Sequence, residues 1–372
     1  MKFLRLAFYV LIAQLVLSGC AGEAVEETSS SSASEINFDA YVGRNASTRS
    51  NVTDMTFLRS GEWNAGFGVF ARYGNTHLMD TEHVTWRGDH WGYDHIRFWP
   101  SSGTVDFYAF APYSPQVTMG KLPDYLADKL VDKTHSKDET YINFPSNMSP
   151  VDLIWANQPD QTAPTSPNSK VQFQFKHALV RLGFDITANQ KLEEKGAVIT
   201  VDKVILYGAN ETSGIFLMGG YLNLKTGNWV PYDNDGIRWF YTWTKDGKVD
   251  GTNGTLEEQK RKGPIYKLSA PQLDYKTPSI ANEKDSYIFI IPQDPPAPAN
   301  FNLKITYKVQ QGDLEEKVEV YKDLLKVLPK DPFGVGGKAY TFHFKLSLDP
   351  VDFKVTADVK DWNVGKDETI SL

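Results

Sequence analysis

VQFQFKHALVRLGFDI, residues 171–186, sets an apolar side chain at every second position. Val171, Phe173 and Phe175 alternate with Gln172 and Gln174, and after Lys176 and His177 the alternation resumes at Ala178, Val180, Leu182, Phe184 and Ile186. A period of two belongs to strands that bury one face. The same pattern recurs at residues 66–73, 104–111, 198–207, 287–291, 301–307 and 338–346. Helical candidates are few, residues 122–131 and 321–328 being the best. Two antiparallel β-sandwiches in tandem is the economical architecture. The strand pattern breaks at residues 186–196, which places an N-terminal domain at 36–190 and a C-terminal domain at 191–372. Pro-rich stretches at 159–167 and 292–298 read as punctuation, the first as a long surface loop.

The first strand of this series stands apart. Ile36, Phe38, Ala40 and Val42 alternate with Asn37, Asp39 and Tyr41, and a polar loop, Asn45-Ala-Ser-Thr-Arg-Ser50, follows at once. Burying Ile36, Phe38 and Val42 is worth roughly 1.5–3 kcal/mol each, about 5–8 kcal/mol together. A domain is stable by only about 5–15 kcal/mol. Excising such a strand would open an apolar groove with unpaired backbone edges, tolerable only if another strand filled it.

The start of the chain reads as an export signal. Lys2 and Arg5 precede an apolar run from Leu6 to Leu17, and Leu17-Ser18-Gly19-Cys20 closes it. The run is too short for a transmembrane helix and marks residues 1–19 as a signal peptide. Leu-Ser-Gly-Cys matches the bacterial lipobox, which makes Cys20 the acylated first residue of a mature lipoprotein held in a bilayer by its acyl chains. Cys20 is the single cysteine of the 372-residue chain, which leaves none for disulfides or thiol chemistry. Residues 20–35, acidic and then Ser-rich, form a lipidated tether that lifts the folded part off the membrane. Net charge is −7, and loss of Lys2 and Arg5 with the leader makes the mature chain more acidic still. A nucleic-acid partner is not expected. Aromatic residues make up 13% of the chain, which suits a β-rich extracellular protein.

Several stretches together carry a family resemblance. They are the lipobox with its acidic linker and the strand Ile36-Asn-Phe-Asp-Ala40 leading to Thr48-Arg49; Gly68-Val-Phe-Ala71; Phe98-Trp-Pro100 followed by Val105-Asp-Phe-Tyr-Ala-Phe-Ala-Pro-Tyr113; Phe175-Lys-His-Ala-Leu-Val-Arg-Leu-Gly-Phe184; and Asp361-Trp-Asn-Val-Gly365. In order and spacing the chain resembles the fimbrillins, the lipoprotein-derived subunits of type V pili in Bacteroidales, and specifically their fimbrillin-like (Mfa-like) branch. The resemblance implies an all-β fold of two transthyretin-like antiparallel sandwiches in tandem. It implies export as a palmitate-bearing lipoprotein to the outer membrane and cell surface, then cleavage after Arg49 to leave Ser50 first. Assembly into a fimbrium by donor-strand exchange would follow, with residues 36–49 as the removable plug and loop. Partners would be other fimbrillin subunits and a host or bacterial surface ligand for adhesion.

In such an assembly the donor is the C-terminal region of another subunit. Here Val351-Asp-Phe-Lys-Val-Thr-Ala-Asp-Val359 alternates, and Glu368-Thr-Ile-Ser-Leu372 follows. Little chain remains after Trp362, which favours a tip or accessory subunit. The bland alternative for residues 36–42, a first strand that is never removed, stays open at this point.

No nucleophile elbow, P-loop, dinucleotide fingerprint or paired catalytic carboxylates occur at recognisable spacing, so neither catalysis nor a cofactor is expected. Residues 81–95 gather His83, His90 and His95 with Glu82, Asp89 and Asp94. These are weak metal candidates without helix-borne spacing, and an irregular polar loop is the better reading. Arg238-Trp-Phe-Tyr-Thr-Trp243 sets Trp239, Tyr241 and Trp243 on one face of a strand. Such a stripe is usually core; exposed, it would be a platform for sugar rings, and it carries the alternative function of a surface glycan-binding lipoprotein.

Overall fold

The computed structural model describes residues 34–43, 52–130, 133–145, 152–166, 168–188, 197–211, 214–217, 219–232, 238–239, 241–244, 288–292, 300–328, 333–346 and 354–361. The structure is all-β with a few short helical turns. Its largest sheet has seven strands in the order β1 (Phe38–Val42), β9 (Val171–His177), β8 (Ile154–Gln161), β5 (Val105–Ala111), β2 (Phe67–Tyr73), β3 (Thr76–Trp86) and β4 (Trp91–Gly92). Two four-stranded sheets follow from the second half of the chain. One is β17 (Ile288–Ile290), β10 (Val180–Ala188), β20 (Lys338–Leu346) and β21 (Lys354–Asp361); the other is β16 (Tyr241–Thr244), β11 (Val198–Tyr207), β18 (Asn302–Gln311) and β19 (Leu314–Asp323). A further sheet runs β14 (Trp229–Pro231), β13 (Gly219–Asn223), β7 (Tyr141–Pro145) and β6 (Met119–Gly120), and β12 (Phe216–Leu217) pairs with β15 (Arg238–Trp239).

Alternation in the sequence becomes burial in the structure. Val171, Phe173, Phe175 and His177 of β9 point inward while Gln172, Gln174 and Lys176 are exposed. One core gathers the inward residues of β1, β2, β3, β5 and β9, including Phe38, Phe67, Phe107 and Phe173. A second gathers β10, β11, β18, β20 and β21 around Phe301, Tyr307 and Phe342. A third, with Phe70, Phe110, Leu222, Phe289 and Ile291, draws on both halves of the chain, and β7 pairs with β13 across residue 190.

Two tight hairpins show how local chemistry sets register. Tyr73 faces Thr76 across Gly74-Asn75 and Gln311 faces Leu314 across Gly312-Asp313. Gly74 and Gly312 have φ of 55° and 60°, the left-handed conformation that a two-residue turn of this hand needs and glycine adopts without strain.

The structure departs from the expectations in five places. Pairing is not uniformly antiparallel, since β1 runs parallel to β9 and β10 parallel to β20. The 81–95 stretch is only partly loop, because β3 extends through it to Trp86 and Trp91 returns to pair with Trp86. Pro159 lies inside β8 rather than in a loop; the register shifts there by one residue and Asp160 takes φ 55°. A proline, which donates no hydrogen bond, is accommodated at such a bulge. The helix expected over 122–131 is the single turn α2 (Asp124–Ala127). The one expected over 321–328 is the end of β19 followed by a 3₁₀ turn, Leu324–Lys326, capped by Asp323. Tyr321 instead pairs with Lys304, and Val318 and Val320 turn inward as strand residues do.

Candidate functional site

The segment singled out by sequence, Ile36, Phe38, Ala40 and Val42, is wholly buried, whereas Tyr41 on the opposite face is 54% exposed. β1 therefore behaves as an amphipathic strand laid over the N-terminal core. Phe38 stacks on Phe173 at 5.7 Å between ring centres and meets the rings of Tyr93 at 5.5 Å and Phe107 at 5.8 Å. Aromatic pairs of this geometry add about 0.5–1.5 kcal/mol each beyond simple burial.

The backbone of the segment is held on two sides, by different halves. From Phe38 to Val42 it pairs in parallel with β9, in the register Phe38–Val171, Ala40–Phe173 and Val42–Phe175. At its start the partner changes. The Ile36 N–H donates to the Arg97 carbonyl at 2.9 Å, the Trp99 N–H donates to the Ser34 carbonyl at 3.0 Å, and Glu35 bridges Phe98. The Tyr93 hydroxyl donates to the Ile36 carbonyl at 2.7 Å and accepts from the Arg97 N–H at 3.2 Å. Burial pushes the Tyr93 phenol above its ordinary range, because the anion has no solvent to stabilise it. The result is a slot with four inward positions, lined by β9 on one rim and by residues 93–99 on the other. Among the described residues, each stretch of this backbone has a single ladder partner, whereas the central strands of the sheet have two.

Immediately beyond the slot lies a buried polar cluster. Asp152 accepts from the Thr53 N–H through Oδ2 at 2.8 Å, and its carbonyl accepts from the Thr53 hydroxyl at 2.6 Å. Its Oδ1 meets His177 Nδ1 at 3.0 Å. All three residues are buried. His177 is thereby a buried strand histidine bonded to a carboxylate. Thr53 and Asp152 carry no sequence signal of their own, since their meeting depends on a contact ninety-nine residues apart.

The remaining candidates are dispersed. His83 lies flat on Tyr113 and reaches the Ala65 carbonyl, His90 pairs with Asp89 and His95 with Glu82. Among the described residues no group of three or more His, Cys, Asp or Glu side chains is disposed to hold a metal ion. The Trp239–Trp243 stretch is not one strand: Trp239 pairs with Phe216 in β15, while Tyr241 and Trp243 pair with Leu206 and Val204 in β16, in another sheet. The expected stripe on a single strand face is thereby corrected. Of the alternating 351–359 segment, the described part, from Lys354 on, is occupied within its own fold, because β21 pairs along β20 and buries Ala357 and Val359. Cys20, Arg49, Ser50 and residues 368–372 lie outside the described residues. Among those described, no helix is long and apolar enough to cross a membrane.

Comparison with known proteins bears on this geometry. A family model for fimbrillin-like proteins matches residues 48–362. The fimbrium subunit Fim1C of Phocaeicola vulgatus is 25% identical over 98% of this chain and 98% of its own length. A fimbrial protein from Bacteroides vulgatus, solved by crystallography, superimposes with a TM-score of 0.56 at 18% identity, covering 88% of this chain and 99% of that one.

Proposed function

Because the chain belongs to the fimbrillin-like family, we propose that it is a fimbrial subunit whose β1 segment is a temporary plug, exchanged on assembly for a strand of another subunit. In this reading the chain is exported as a lipoprotein anchored through Cys20 at the outer membrane and is cut after Arg49. Residues 20–49 then leave, and the vacated slot receives the donor. The two-sandwich, transthyretin-like organisation belongs to the same proposal, with its division drawn between residues 175 and 180 rather than near residue 190. It is supported by the separation of one core built on residues 36–175 from another built on residues 180–359.

One observation carries the reading. β1 supplies inward residues to the centre of the N-terminal core, yet among the described strands it lies at the edge of its sheet, paired in parallel to β9 alone. Its removal breaks that ladder and the few bonds that Ser34, Glu35 and Ile36 make to residues 93–99, and uncovers a groove that another alternating strand fits, with backbone bonds for affinity and side chains for fit. The use of residues 354–361 in their own sheet leaves that segment nothing to donate, which supports an accepting role at the tip or in an accessory position. A surface ligand, host or bacterial, would be bound by the assembled appendage.

Mass spectrometry of the protein in fimbriae sheared from cells tests the proposal. A mature N-terminus at Ser50 is expected. Assembled material that retains residues 21–49 would refute it.

A further inference from the structure

We infer that Thr53, Asp152 and His177 form a latch that keeps the chain downstream of the processing loop docked when β1 leaves. The inference rests on the reading that β1 is released. The described residues on either side of 44–51 meet at one place on the fold. Upstream, Val42 pairs with Phe175. Downstream, Thr53 is bonded to Asp152, which is bonded to His177, the next inward residue of β9 after Phe175. A cut after Arg49 therefore separates two segments whose described residues are anchored side by side, and the fold must determine which one departs.

The two sides are held differently. Upstream of the cut, β1 has its parallel ladder and its side chains, all of which an incoming strand reproduces. Downstream, three successive residues are pinned by contacts that no incoming strand supplies. Val52 packs in the third core with Leu153. Thr53 gives both its N–H and its hydroxyl to Asp152. Asp54 caps α1 (Met55–Leu58) by accepting the Phe57 N–H at 2.8 Å. Asp152 is itself fixed, by His177 on its free carboxylate oxygen and by its neighbour Leu153, whose carbonyl accepts from the Ala178 N–H at 2.8 Å. A buried carboxylate bonded on both oxygens holds its partner in one geometry, and loss of either bond leaves a buried group unsatisfied. The latch also bounds the slot: the rung of β9 beyond Phe175 is a histidine engaged elsewhere, so the strand bound there has four inward positions and no fifth.

The test uses the full chain with residues 45–50 replaced by the recognition sequence of a site-specific protease. The chain is cut and offered a fluorescent peptide of sequence 34–43, and amide hydrogen exchange is followed over residues 51–58. The cut parent is expected to take up the labelled strand while protection at Thr53 stays unchanged. Asp152→Asn and Thr53→Val, the second close in volume to the native side chain, are expected to lose protection over 51–58 roughly tenfold after the cut. Before it they should lose several-fold less, because the arm is then tethered at both ends. Loss of Thr53 protection in the cut parent, or an effect of the substitutions no larger after cutting than before, overturns the latch. Failure to take up the labelled strand while Thr53 stays protected counts instead against strand exchange itself.

Discussion

Phe38→Ala is the perturbation that bears most directly on the slot. The ring is 1% exposed and touches Tyr93, Phe107 and Phe173. Truncating a fully buried phenylalanine costs about 3–5 kcal/mol, as lost transfer energy and as the cavity left behind. The site has little means of collapsing. Phe107 and Phe173 are held on central strands, and Phe173 is also braced by Phe67 and Phe175. A loss near 4 kcal/mol is therefore expected in urea denaturation of the uncut chain. Tyr41→Ala, on the exposed face of the same strand, should stay within about 0.5 kcal/mol. The same numbers apply to a free strand: a 34–43 peptide carrying the Phe38 substitution should bind the cut chain about a thousandfold more weakly than the parent peptide. A stability loss below about 1 kcal/mol, or equal effects at positions 38 and 41, would refute the argument that β1 completes the core through this ring.

Two further outcomes are expected. Gly66→Ala should cost at least ~2 kcal/mol, because Gly66 has φ +78° and a Cβ there would stand 2.2 Å from the Val84 carbonyl oxygen. Gly61→Ala, with nothing within 4 Å of the added atom, is the neutral control in the same denaturation series. Burial, and then the neighbouring Asp106, push the Tyr108 phenol up to about 12 from the ordinary 10. The unfolded chain therefore gives up that proton first, so the stability tied to it is intact below pH 10 and is lost as pH rises toward 12. Urea midpoints measured across that window should fall less steeply for Tyr108→Phe than for the parent; identical slopes would contradict the assignment.

What the sequence determined by itself was the identity of the buried faces. The alternation at 36–42 named Ile36, Phe38, Ala40 and Val42 as inward, and all four are buried. The same holds for β9, where Val171, Phe173 and Phe175 were legible for the same reason. A period of two reports a solvent boundary, and that boundary is a local property of the strand. It does not report who pairs with whom. Only the folded chain decided that β1 lies parallel to β9 and hands its first residues to the 97–99 segment. It also decided that residues 354–361 belong to their own sheet and that Trp239 pairs in a different sheet from Tyr241 and Trp243. Thr53, Asp152 and His177 are three ordinary polar residues along the chain; strand pairing over a hundred residues brings them into one buried cluster. There an unpaired carboxylate is costly and each hydrogen bond counts for more than it does in water.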